Sequence, residues 1–172
     1  LIDNTVGAYD AQPSVAPYAQ DAWSIVWERQ QTASERDIYY STFHAPSGSL
    51  GVPLALVTGS TDDFEPRVSS RTWWDGTCVV AFQRAGFFFQ TDIAIVWLNN
   101  QVPSGFPPVI VNGLDGSNIF EFQYDHDVTC DGRSFTLTYC ETDMATFNNV
   151  DVYLTNFVPL QTGGLWIQEG HV

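Results

Sequence analysis

The stretch YDHDVTCDG, Tyr124–Gly132, packs Asp125, His126, Asp127, Cys130 and Asp131 into nine residues. Carboxylates at alternating positions suit calcium, a hard cation that takes oxygen ligands, so Asp125, Asp127 and Asp131 are the candidate ligands. Thr129 stands where a further alternating acid would fall, and a solvated turn is the competing reading. His44, His126 and His171 have no metal-type spacing and read as loop or edge residues. The chain has no H-E-x-x-H, no G-x-S-x-G and no glycine loop of the phosphate-cradling kind. Its cysteines are Cys78, Cys130 and Cys140. An odd number leaves at least one without a partner in the chain, and no C-x-x-C pair is present to build a thiolate zinc site. Cys78, inside the apolar run CVVAF, is expected to be a buried thiol. Cys130 and Cys140 are the pair that a bridge would join in an oxidising compartment.

The elements that must position these residues are strands. Hydrophobic residues make up 44% of the 172 and aromatics 15%, which excludes a disordered chain and favours β structure. Twenty Asp plus Glu stand against six basic residues, all Arg, for a formal net charge of -14. A surface of that sign is repelled by phosphate backbones and anionic lipid, so nucleic acid and the membrane surface are excluded as partners. It suits a solvated, extracellular or calcium-containing setting. No apolar run approaches the roughly 18 residues of a membrane span. Residue 1 is not Met and no signal peptide is visible, so the chain reads as a mature or partial product.

Four motifs recur in the same order at a period near 55 residues. Asp37, Asp92 and Asp151 open RDIYYSTF, TDIAIVWL and VDVYLTNF. Upstream lie DAWSIVWER, DGTCVVAFQR and DGRSFTLTYCE, and before those QPSVA, EPRVS and EFQYD, the last beginning at Glu121. LALVTG, PVIVNG and LWIQEG form the fourth set. Each segment reads as a short strand. Asp75-Gly76 and Asp131-Gly132 mark tight turns between the first and second strands of their units. Pro46-Ser47-Gly48 and Pro103-Ser104-Gly105 mark the turns between the third and fourth. The expected fold is all-β, with three four-stranded antiparallel meanders spanning roughly 12–60, 65–113 and 121–172. Residues 1–11 then form a fourth-type strand of a preceding or completing unit. In this reading each repeat Asp starts a third strand and accepts bonds from nearby turn amides.

Units of this size and content are those of propeller blades. At QPSVA, DAWSIVWER and RDIYYSTFHAPSGSLGVPLALVTG, and again in the second copy, the chain resembles bacterial secreted β-propeller repeats of the sialidase-like and TolB-like kind. The Asp-box turn of sialidases, Ser-x-Asp-x-Gly-x-x-Trp, is replaced here by SGSLGVP, so the resemblance implies the fold and not a sialidase activity. Closed propellers have about four to eight blades. Three blades leave two apolar faces open to water, which predicts self-association or further blades of a longer chain, and a filament if the contacts do not close.

Glycosidase chemistry needs two carboxylates about 5–10 Å apart, one protonated and one ionised. Of the expected inner strands PSVAPY, PRVSSR and FQYDHD, only the third offers acids, Asp125 and Asp127. Phe87, Phe88 and Phe89, in the loop joining the second and third strands of the middle unit, cannot all point inward from a short loop. Together with Trp73 and Trp74 they are the candidate interface residues, the alternative being packing within the same chain. The reading favoured by the sequence is a non-catalytic extracellular or cell-surface module for assembly or binding. Its alternative is a carbohydrate-binding or glycoside-cleaving propeller. No cofactor is called for beyond calcium.

Overall fold

The run Cys78-Val79-Val80-Ala81-Phe82 has no polar side, so a strand made from it must be covered on both faces. The computed structural model, which describes residues 8–73, 75–86, 90–111, 121–143, 150–159 and 165–171, puts this run at the centre. Among those residues there is no helix.

The first sheet is a meander of β1 (Tyr9–Ala19), β2 (Ala22–Thr32) and β3 (Glu35–His44). Its fourth position is shared by β4 (Ser49–Leu50) and β5 (Leu54–Val57), both antiparallel to β3. The second repeats this with β6 (Asp63–Val68), β7 (Thr77–Ala85) and β8 (Thr91–Asn99), edged by β9 (Val102–Pro103) and β10 (Val109–Val111). The third runs β11 (Glu121–Cys130), β12 (Phe135–Asp143), β13 (Val150–Pro159) and β14 (Leu165–His171). A single parallel bridge, Phe122 to Thr91, ties β11 to β8 and joins the second and third meanders edge to edge.

The sheets stack by face. Cys78, Val80, Phe82, Ala94, Val96 and Leu98 of the middle sheet pack on Val26, Ile38 and Tyr40 of the first. The alternate residues Val79, Ala81, Ile93, Ile95 and Trp97 pack on Val128, Phe135, Leu137, Tyr139 and Phe157 of the third. The period-two alternation of a strand thus divides one apolar run between two cores. Cys78 is buried, and burial pushes its thiol up to about 12.

The first strand of each meander carries the same bulge. The pairing of β1 with β2 skips between Ala11 and Ser14, that of β6 with β7 between Phe64 and Arg67, and that of β11 with β12 between Tyr124 and Asp127. Gln12, Glu65 and Asp125 sit in these gaps at φ 49°, 52° and 48°. Repetition of a left-handed conformation by three non-glycine residues shows the units to be structurally equivalent there. The third unit's counterpart of Gln12-Pro13 and Glu65-Pro66 is therefore Asp125-His126. The alignment on Glu121 is corrected by four residues. His126 has replaced the proline that would have revealed the register.

The bulge geometry also enlarges the set of inner-strand acids. Asp10 lies on β1, and Asp63 and Glu65 lie on β6, in addition to Asp125 and Asp127 on β11.

Candidate binding groove

At the start of each inner strand, side chains form a transverse row. Asp10, Arg29 and Asp37 are cross-strand partners in the first sheet, as are Asp63, Arg84 and Asp92 in the second. Arg29 donates to both oxygens of Asp10 at 2.7 and 3.0 Å, and Arg84 to both of Asp63 at 2.7 and 2.9 Å. In the third sheet Gln123 and Glu141 take these places, with Gln123 Nε2 donating to Glu141 Oε2 at 2.9 Å and Asp151 across from Glu141. For Asp37 the expectation of bonds from turn amides is corrected: its Oδ1 is buried with no hydrogen-bond partner among the described residues, whereas the loops that precede Asp92 and Asp151 lie partly outside them. The post is a cross-strand one, facing an arginine in the first two units. Turn amides are bound instead by Asp75, which accepts from Thr77 N, and by Asp131, which accepts from Arg133 N and Ser134 N.

These inner-strand acids are held as acceptors. Glu65 Oε2 takes a bond from Gln83 at 2.6 Å, and Glu65 N donates to Glu28. Burial pushes the Asp63 carboxyl up against the pull of Arg84, but the side chain is 1% exposed and beyond the reach of a substrate. Asp125 and Asp127 are exposed, and Asp127 accepts from Val128 N.

The calcium reading of Asp125, Asp127 and Asp131 is corrected. Asp125 and Asp131 stand six residues apart along β11 and its turn, about 20 Å at strand rise, whereas calcium ligands must converge within about 2.5 Å of one point. Among the described residues no three His, Cys, Asp or Glu converge. The Cys130–Cys140 bridge is corrected too. All three cysteines are free. Cys130 pairs with Phe135 and Cys140 with Tyr124, which separates them by about 16 Å along the sheet, against the roughly 7 Å a disulfide tolerates.

At the other end of the meanders the three turns between first and second strands converge. Pro17, Tyr18 and Ala19 of the first unit, Ser70, Arg71 and Trp73 of the second, and Cys130, Asp131 and Gly132 of the third line an open groove of about 320 Å³. Its middle wall is fixed by Thr72, which is buried and whose hydroxyl bonds Asp75 while accepting from Thr77 N. Thr72 is turned inward, and its neighbours Arg71 and Trp73 are both exposed. Trp73 N donates to Gly132 O at 2.9 Å and Ser70 Oγ to Cys130 O at 3.4 Å, which ties the second turn to the third.

Trp73 is 75% exposed, with its indole laid against Gly132. Gly132 is required: its φ is +93°, and a Cβ there would run into the ring. Gly76, at φ +69°, closes the middle turn against Asn100. The Arg71 guanidinium lies over the Tyr18 ring, 5.1 Å from its centroid. The Ser134 and Arg133 amides hold the Asp131 carboxyl below the usual carboxylate range, so it stays ionised as an acceptor. Burial raises the Cys130 thiol, an unreactive state. The groove thus presents an aromatic face, one stacked cation and polar rim groups, with no carboxylic acid poised to give a proton.

Trp73 is the one candidate interface residue that falls here. Phe87, Phe88, Phe89 and Trp74 lie outside the described residues. Tyr18 and Arg71 were not singled out from sequence. The Arg71-x-Trp73 spacing was a signal, but their meeting with Tyr18 depends on how the sheets stack.

No protein-family model matches the chain, and no curated protein matches it. Among solved structures it is similar to an α-L-arabinofuranosidase of Podospora anserina, solved with cellotriose: 15% identity, TM-score 0.48, covering 96% of this chain and 65% of that one. It is also similar to the catalytic domain of a GH62 α-L-arabinofuranosidase of Coprinopsis cinerea: 14% identity, TM-score 0.47, covering 92% of this chain and 62% of that one. The chain spans less than two thirds of either neighbour's length.

Proposed function

We propose that the three meanders are consecutive blades of a propeller-type domain of the secreted kind, and that the domain binds carbohydrate in the groove where their turns meet. The observation that carries this reading is Trp73: a large aromatic ring, three-quarters exposed yet held flat against a glycine. Leaving an indole in water forgoes about 2 kcal/mol of burial, and holding it rigid forgoes rotamer entropy as well. A sugar's C–H face stacks on such a ring, and its hydroxyls find the polar rim. The role we assign is binding, since Asp10, Asp63 and Glu65 are engaged in hydrogen bonds and Asp131, the acid in the groove lining, is held ionised. A glycan array followed by calorimetry tests the proposal. Binding by the native chain that is abolished in Trp73→Ala is the expected result, and an array with no hits for the folded protein rejects it.

A second reading, self-assembly, is favoured by the outward face of the third sheet. Tyr153 stacks on Tyr139 toward the core, which turns its neighbour Val152 away from it. Val150 and Val152 are 55% and 56% exposed. Light scattering on the eluted protein decides between a 19.2 kDa monomer, which rejects assembly, and a multiple of it.

A further inference from the structure

Positive side-chain charge in this chain comes from six arginines against twenty acids. Three are neutralised locally: Arg29 by Asp10, Arg36 by Asp62 and Arg84 by Asp63, at 2.6–2.7 Å. Arg67 donates to Pro66 O. Arg67, Arg71 and Arg133 have no carboxylate within 4 Å among the described residues, although the chain carries more than three acids for every arginine, and of these three only Arg71 lines the groove. It is held out over Tyr18, on the same side of the chain as Trp73 and two residues from it. Arg71 and Trp73 flank the buried Thr72 and line the same groove, so one ligand can meet both the guanidinium and the indole.

From this the geometry points to a uronic acid as the sugar the groove takes, with its ring on Trp73 and its C6 carboxylate on the Arg71 guanidinium. This rests on the groove binding carbohydrate at all. Guanidinium and carboxylate match as two parallel N–H···O bonds, and a charge-assisted pair is about twice as strong as a neutral one. Charges beyond about 8 Å are screened at physiological salt, so the negative charge an anionic ligand meets is the ionised Asp131 in the same lining, which leaves Arg71 as the group that takes a carboxylate. Asp131, also in the lining, has its Oδ1 occupied by turn donors and would serve the sugar as an acceptor for hydroxyls.

The test is calorimetry at physiological salt with tetramers of galacturonate, glucuronate and mannuronate, each paired with its methyl ester, which keeps the ring and removes the charge. At least one acid is expected to bind about tenfold or more tighter than its ester, the size of one charge-assisted bond. Arg71→Gln should erase that preference while leaving ester binding in place. Arg133→Gln, outside the groove lining, should retain it. Equal affinity for acid and ester, with both lost in Trp73→Ala, overturns the uronate assignment and leaves the groove standing. A preference lost in Arg133→Gln and kept in Arg71→Gln also overturns it. If no tetramer or neutral glycan binds, the carbohydrate reading itself has failed.

Discussion

His126 occupies the bulge position that the other two units give to proline. It is 4% exposed, and neither ring nitrogen has a hydrogen-bond partner among the described residues. Burial lowers its pKa to about 4. A histidine that titrates near 6.5 when unfolded and near 4 when folded stabilises the fold fully above pH 6.5. That contribution is lost as pH falls from 6.5 through 4, by about 3 kcal/mol in all. Urea melts across this window should show the loss. His126→Pro, which installs the residue of the sister units, should flatten it, and a variant that keeps the full slope would show that other groups carry it. Gly132→Ala should destabilise the turn by about 1–2 kcal/mol through its positive φ and lift the indole from its seat, which Trp emission and sugar affinity would both report. At this scale the sequence was half legible. The turn glycines announce themselves because few other residues reach their φ. Asp37 was recognised as a repeat position, but its role was misread, because a partner on the adjacent strand leaves no mark in local sequence.

The recurring element is a meander pinned between its first and second strands, and the pin has two chemical forms. Units one and two use an Asp–Arg ion pair, and unit three uses Gln123 with Glu141. Arg84→Ala strands the buried Asp63 carboxylate and should cost about 3–5 kcal/mol by chemical denaturation. The double exchange Asp63→Gln with Arg84→Glu imports the third unit's pin and should recover more than half of that loss. No recovery would mean that the two pins are not interchangeable. The strands themselves were readable from apolar runs and turn residues, since both are local. The third unit's register was not, because the proline that labels the bulge in two copies is a histidine in the third.

In the whole molecule the middle sheet is the shared layer, with Val79, Ala81, Ile93, Ile95 and Trp97 sealed by the third meander and their alternates by the first. Such a stack draws its stability from the interfaces between neighbouring units. A chain cut after Val111 uncovers that face, and should bind ANS or precipitate where the full chain melts in one transition. A soluble truncation with native-like melting would separate the units energetically. The stacking order follows from the repeat. The meeting of three turns in one groove does not, because it depends on sheet twist and on the ties from Trp73 to Gly132 and Ser70 to Cys130.

The lack of lysine gives the groove a readout of its own. Trypsin has six bonds to cut, and those after Arg29, Arg36, Arg67 and Arg84 lie in strands, with all of these guanidinium groups except that of Arg67 clamped by carboxylates. The cleavable peptide bonds in turns follow Arg71, in the groove, and Arg133, one residue past its lining. A digest of the native protein should therefore nick first at these two sites, and the protection of the Arg71 bond by an added glycan would measure occupancy without any label.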